Sequence, residues 1–557
     1  AAAMLRGRDP QKELDRQLEE TNLDFPQPET QPILRPSRED FVAMVQTQGE
    51  TRDVGGTEGA VDVLVREIEA KVRERKTLVV WLFDASQSLN ARRKEIADRF
   101  GLVYKQLRER NKGIDARLTT AVVSFGASTT FLTPEPVSDV TDVVNAVRRI
   151  KPDTKGKEYV FTAINDVMRM WKRELLSYRG SSRTRRNVML VVVTDERGDD
   201  YAGKSGRDYG FLDLTIRDMR GLNIYGYCVG NAAVFGREKG YVSFTDDTGY
   251  KWNSIAVDQG PETVAPERLN IPFWGGRSRS VERLSANYGP YALTRMCAET
   301  GGLYLITHHS AGAMKFPANV MRKYKPFYGT IPRYLRDVNS NLAKRAVFEV
   351  AGDSLREPIP SPKLSFRADS ETVLRNQLKE AQKPFARLDY HLRAMIAKME
   401  QGEKQRPRVK EYRWQAAFDL AMGRLLATRV RAFGYQSTLS GMSASPLSFK
   451  KPGSNQWRLV PSAKWQSYPP PVKKLAKKAT FYLKRVIDEH PNTPWALLAE
   501  HELSTEMGWA WREGRMVIPR RTGNGNNDPG VLLADDDPNN PRKRKKKPQA
   551  RRKPPQL

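Results

Sequence analysis

Asp84-Ala85-Ser86-Gln87-Ser88 follows directly on the apolar run Thr77 to Phe83 (TLVVWLF). One carboxylate and two hydroxyls at alternate positions of a loop all present oxygen, the donor type that hard divalent cations take. Alone the pattern is ambiguous, because Ser and Asp also fill turns and helix caps. Two further features converge on it. A second β-branched run, Val188 to Thr194 (VMLVVVT), has the composition of a strand covered on both faces and ends on Asp195. Between the two, Thr162 stands at the start of a helical pattern of Ile164, Val167, Trp171 and Leu175. Two carboxylates at strand ends and a hydroxyl at a helix start would meet outside the carboxyl ends of parallel strands, where open α/β sheets bind ligands.

This order of residues resembles a von Willebrand factor A (VWA) domain, whose metal-ion-dependent adhesion site combines a D-x-S-x-S loop, a later Thr and a later Asp. The resemblance implies that Asp84, Ser86, Ser88, Thr162 and Asp195 form a complete metal site. Ser86, Ser88 and Thr162 would be direct ligands, with the carboxylates acting directly or through water. Mg²⁺ is the implied ion, with Mn²⁺ and Ca²⁺ as alternatives, and one coordination position would be left for an acidic side chain of a protein partner. The chain departs from the family before Thr162, where Glu158-Tyr159-Val160-Phe161 replaces the usual glycines.

The segments between these residues supply the elements that must position them. Ile96, Phe100, Val103 and Leu107 mark a helix over 90–110, Leu118 to Phe125 a strand, and Thr129 to Leu132 a short edge strand. Val140, Val143, Val144 and Val147 mark a helix and Ile224 to Val229 a buried strand. A helix from Tyr291 to Glu299, stopped by Gly301-Gly302, precedes the strand Leu303 to Thr307. Such alternation predicts an α/β fold, a doubly wound Rossmann-like VWA domain over 74–310, led by a short helix over 57–73.

An insertion over 234–283 leaves the carboxyl end of a strand, with a hairpin around Tyr241 to Phe244 and Tyr250 to Val257. It is expected on the metal rim, replaceable by a short link without unfolding the sheet. There Trp252, Phe273 and Trp274 would either wall the partner site or pack the hairpin onto its own domain. Arg197-Gly198-Asp199 spells a tripeptide known from adhesion, but an Asp-rich turn beside a cation more simply tunes the local field.

Around this domain the texture changes. Residues 1–56 read as an extended or disordered lead, 311–334 as a linker, and 335–515 as a mainly α-helical second domain. Within it, 472–508 resembles a tetratricopeptide-like helix hairpin, with Thr493 capping a helix that starts at Pro494. Residues 516–557 read as a disordered basic tail carrying Arg542 to Lys547 and Arg551 to Lys553. The net charge of +29 favours contact with polyanions, or simply solubility, and no base-reading module is recognisable, so sequence-specific nucleic-acid binding is not expected. No run is long and apolar enough for a transmembrane segment. Cys228 and Cys297 suit core positions and leave the compartment open. The resemblance leans toward export or the cell surface of a bacterium.

Catalytic groupings are scarce. His308-His309 follows the last strand of the domain, with no nucleophile elbow, phosphate loop or zinc-spaced cluster beside it. The expected function is therefore a divalent-metal-dependent protein-binding scaffold, not an enzyme. The alternative is a polyanion-binding structural protein in which the metal only stabilises the fold.

Overall fold

The computed structural model describes residues 51–110, 117–171, 186–206, 208, 210–246, 248–274, 279–385 and 387–516. Strand β2 (Thr77–Asp84) is buried at every position, as its unbroken apolar run requires. Its side chains alternate between two cores. Val79, Trp81 and Phe83 face helices α1 (Thr57–Glu74), α2 (Asn90–Arg110) and α3 (Val140–Arg148). Leu78, Val80 and Leu82 face α4 (Val160–Met170), α5 (Gly210–Gly221) and α6 (Tyr291–Thr300). Helices thus cover both faces of the sheet.

That sheet has seven strands. Numbering β1 (Thr51–Asp53), β3 (Leu118–Phe125), β4 (Thr129–Phe131), β5 (Asn187–Val193), β6 (Ile224–Asn231) and β9 (Tyr304–His308), the order is β1-β9-β6-β5-β2-β3-β4. Every pair is parallel except β3 with β4. Because β2 and β5 run in register from Thr77↔Asn187 to Phe83↔Val193, Asp84, the last residue of β2, and Asp195, two residues past β5, emerge on the same rim. The insertion contributes the hairpin β7 (Gly240–Thr245) and β8 (Lys251–Val257).

The remainder is mainly helical: α7 (Ile331–Asn339), α8 (Leu342–Arg356), α9 (Glu371–Gln382), α10 (Leu388–Glu403), the 33-residue α11 (Tyr412–Ala444), α12 (Pro470–Glu489) and α13 (Pro494–Leu503). The Thr493 hydroxyl accepts the Ala496 N–H at 3.2 Å and caps α13 as the sequence implies. A small antiparallel sheet, β10 (Ser365–Arg367), β11 (Gln456–Ser462) and β12 (Gly508–Gly514), was not foreseen.

Two expected boundaries shift. Thr51–Asp53, assigned to the disordered lead, forms edge strand β1 through parallel pairing with β9. The expected linker 311–334 contains the helical turns Ala318–Met321 and Arg322–Tyr324, and buried Tyr324 stacks on Trp495 at 5.2 Å. Apolar residues in that stretch are drawn into the helical core. The rest of the expected lead and all but one residue of the tail lie outside the described residues.

Candidate functional site

Asp84 ends β2 and is fully buried. Both its oxygens are engaged: Oδ1 accepts the Ser86 N–H at 2.7 Å, and Oδ2 accepts the Thr194 hydroxyl at 2.8 Å. Asp84 thereby ties the ends of β2 and β5 together. The Ser86 and Ser88 hydroxyls lie 3.1 Å apart. Arg93 of α2 donates from Nη1 to the carbonyls of Asp84 (2.5 Å) and Ser86 (2.9 Å), which clamps the loop from behind.

Asp195 completes this group. It is buried, the Ser88 hydroxyl bonds to its carboxylate, and its Oδ1 has no hydrogen-bond partner among the described residues. Burial pushes the Asp195 carboxyl up, opposed by the Arg92 guanidinium. Burial, reinforced by the Asp195 charge, raises Asp84 to about 6. Thr162 is held differently. The N–H groups of Phe161 and Thr162, at the start of α4, donate to Asp200 at 3.1 and 2.6 Å, and the Thr162 hydroxyl bonds to the same carboxylate. Asp84, Ser86, Ser88 and Asp195 therefore form one connected group. Thr162 stands at the adjoining helix start, tied to the loop that follows Asp195.

Sequence reasoning missed two further carboxylates. Glu158 and Glu196 are buried and hydrogen-bonded to each other, and carboxylate oxygens of Glu158, Glu196 and Asp199 lie within 4.8 Å of one another. Burial and then the Asp84 charge push Glu158 up to about 8, while burial and then Glu158 hold Glu196 well above the usual range. Lys157 pairs with Asp199 at 3.3 Å. Four buried carboxylates, Asp84, Glu158, Asp195 and Glu196, thus face two buried guanidiniums, Arg92 and Arg93. The signal was visible in type only: Glu158 occupies the stretch where the resembling family carries glycine, and Glu196 follows Asp195. An all-oxygen donor set with an orphaned carboxylate oxygen fits a divalent cation.

No family model matches the chain, and no curated protein does. Solved structures resemble parts of it. One holds three N-terminal domains of the type V pili tip protein Mfa5 from Porphyromonas gingivalis, at 16% identity and TM-score 0.18, covering 22% of this chain and 20% of that one. A second is the SpRpn10 VWA domain, at 9% identity and TM-score 0.23, covering 43% of this chain and 88% of that one. A third is proximal thread matrix protein 1 from the mussel byssus, at 14% identity and TM-score 0.22, covering 28% and 38%. The chain thus spans a fifth of the first and under two fifths of the third.

Of the two readings open to the aromatics, walling the rim or packing, Trp274 and Phe273 pack, against the helical region. Trp274 is 3% exposed and packs edge-on against Phe385 at 5.4 Å, with Tyr435 and Trp509 beyond. Phe273 packs against His501 at 4.5 Å and under Arg424 at 4.1 Å. Both belong to the core shared with the helical region, since that region offers more apolar surface to bury against than the solvated rim does. Half-buried Trp252 stays on the hairpin, donating Nε1–H to Asp246 at 2.9 Å with its ring 4.8 Å from Tyr250. The hairpin does reach the carboxyl end of β9, where Ser310 accepts the Tyr241 N–H at 3.1 Å. The two histidines are tied separately. His308 Nδ1 lies 3.1 Å from Arg92 Nη2, and His309 bridges Ser285 and Asp53. Cys228 and Cys297 are buried free thiols, and no helix among the described residues is long and apolar enough to cross a membrane.

Proposed function

We propose that the α/β domain is a divalent-metal-dependent protein-binding module that captures an acidic side chain of a partner. The observation that carries this reading is the orphaned Oδ1 of Asp195 beside Asp84 and the paired Ser86 and Ser88 hydroxyls. Those four residues would hold the cation, with Thr162 joining them by release from Asp200. When bound, the cation supplies a Lewis-acidic position for the partner's carboxylate. Arg93 fixes the path of the Ser86 loop, and Glu158 and Glu196, which burial holds toward their protonated forms, would release protons as a cation approaches. We propose a binding rather than an enzymatic role: the Asp195 carboxylate beside the Ser88 hydroxyl is the group the cation would take as a ligand, which leaves no free base for Ser88. In this reading the tetratricopeptide-like pair α12 and α13 offers a second contact surface.

The net charge of +29, with nine Lys and Arg residues between 542 and 553, favours a second reading. In it, attraction to a polyanion carries binding and the cation only stabilises the fold. Capture of a partner from lysate with and without chelator tests the first reading. Binding that ignores chelator but weakens steeply with salt supports the second.

A further inference from the structure

The insertion and the helical region form a cavity lined by Phe235, Leu269 and Trp495 together with Arg268, Arg413, Arg424 and one carboxylate, Glu267, which is taken up by Arg413 and Tyr334. Its volume is about 20 Å³, room for one body of water size or slightly larger. All three arginines are at most 4% exposed. Each carries one guanidinium nitrogen with no hydrogen-bond partner among the described residues: Nε of Arg268, Nη1 of Arg413 and Nη1 of Arg424. Buried donors are almost always satisfied. All three orphans belong to residues that line one small space, and an acceptor within it would satisfy them.

The charges around the cavity do not balance. Arg413 is well compensated, with Nε 2.7 Å from Glu267 and Nη2 2.5 Å from Glu262. Arg424 must share Glu502 with Arg431. Arg268 is worst placed. Its hydrogen bonds go to the carbonyls of Phe235 and Val281, and its nearest carboxylate, Glu282, is 3.8 Å away, half-exposed and shared with Arg237. These five guanidiniums thus meet four carboxylates. Burial, with Arg237 and Arg424 alongside, strongly disfavours a charged Arg268. A guanidinium does not shed its proton in a protein, so relief has to come from a negative charge.

We propose that this cavity binds a single monatomic anion, chloride, held by Arg268, Arg413 and Arg424. Water is the poorer occupant, because its oxygen accepts two hydrogen bonds and brings no charge. The small volume favours a compact ion. The apolar lining suits a weakly hydrated halide, and the site lies where the insertion docks, independent of the metal rim.

Melting the full chain with chelator present, in sodium chloride and in sodium isethionate at equal ionic strength, tests this directly. Chloride should raise the melting temperature saturably by about 2 °C or more, and Arg268→Met should abolish the difference. Crystals grown with bromide should show an anomalous peak among the three guanidiniums, which decides the matter even if Arg268→Met fails to fold. Identical melts in both salts, a chloride effect that survives Arg268→Met, or bromide-soaked crystals without that peak would overturn the assignment and leave water in the cavity.

Discussion

Glu262 of the insertion and Arg413 of α11, 151 residues apart in the chain, form a buried ion pair at 2.5 Å. Arg413 also reaches Glu267 at 2.7 Å, and the Tyr334 hydroxyl donates to Glu267 at 2.9 Å. Four residues before Glu262 the same segment touches the rim of the sheet: the Arg197 N–H donates to the Asp258 carbonyl at 3.1 Å, and the Asp258 N–H to Glu196 at 3.2 Å. The insertion therefore joins the loop carrying Asp195 to the helical region. It is interior structure as much as rim decoration.

Arg413→Met should be strongly destabilising, because it strands two buried carboxylates. The expected loss is about 3–5 kcal/mol in urea unfolding. Converting Glu262 and Glu267 to Gln in the same chain should recover a large part. Replacing 234–283 by a Gly-Ser link, which the sequence suggested the sheet would tolerate, should instead cost cooperativity, since Phe235 and Trp274 leave the shared core. Equal stability of the single and triple variants would refute the pairing argument.

Legibility followed the physics of each element. β2 and β5 were readable because a parallel strand covered on both faces is an unbroken apolar run, and Asp84 and Asp195 followed from where those runs stop. β1 was not, since three residues owe their pairing to β9 rather than to any pattern of their own. β11 was obscured by Pro461. β10 pairs only with Gln456 to Arg458, so Pro461 lies past its reach, where the missing N–H costs nothing. Trp274 read correctly as a residue wanting burial, but an aromatic does not announce its partner, and that partner lay more than a hundred residues away. Glu158 and Glu196 were invisible as site residues because burial of a carboxylate is a tertiary property.

The metal reading predicts linked stability. Mg²⁺ or Mn²⁺ binds only the folded rim, so at roughly 100 times its dissociation constant it should add about 2.7 kcal/mol. Asp195→Asn should lose that response while relieving repulsion on Asp84 in chelator. Thermal melts of parent and variant, with cation and with chelator, check both. Superimposable parent melts would remove the site.

His490 predicts an acid limb. Its ring is fully buried, with Nδ1 2.9 Å from the Tyr324 hydroxyl. Burial lowers it to about 4, with Glu489 opposing and Arg406 and Arg485 assisting. The unfolded chain takes up a proton below the ordinary value of 6.5, which the folded chain refuses until about 4. Stability should therefore fall as pH drops through that window. Urea midpoints of His490→Gln should fall less steeply there than those of the parent, whatever the offset from losing the Tyr324 bond. Parallel slopes would show that the ring is protonated in the fold.

The last prediction separates a metal bridge from charge attraction at the partner. Asp195→Ala removes a carboxylate from the cation's surroundings and makes the protein more basic, whereas Thr162→Ala removes a hydroxyl without changing charge. If an acidic partner binds through the ion, both variants should lose binding. The loss in Thr162→Ala would further require that Thr162 leave Asp200, its partner now at the α4 start. If the basic surface dominates, Thr162→Ala should bind like the parent and Asp195→Ala as well or better. Truncation after Asn540 removes nine positive charges and should weaken only charge-driven binding. Binding measured across salt and chelator series, surviving both point changes yet vanishing with the tail, would place recognition on the polyanion reading.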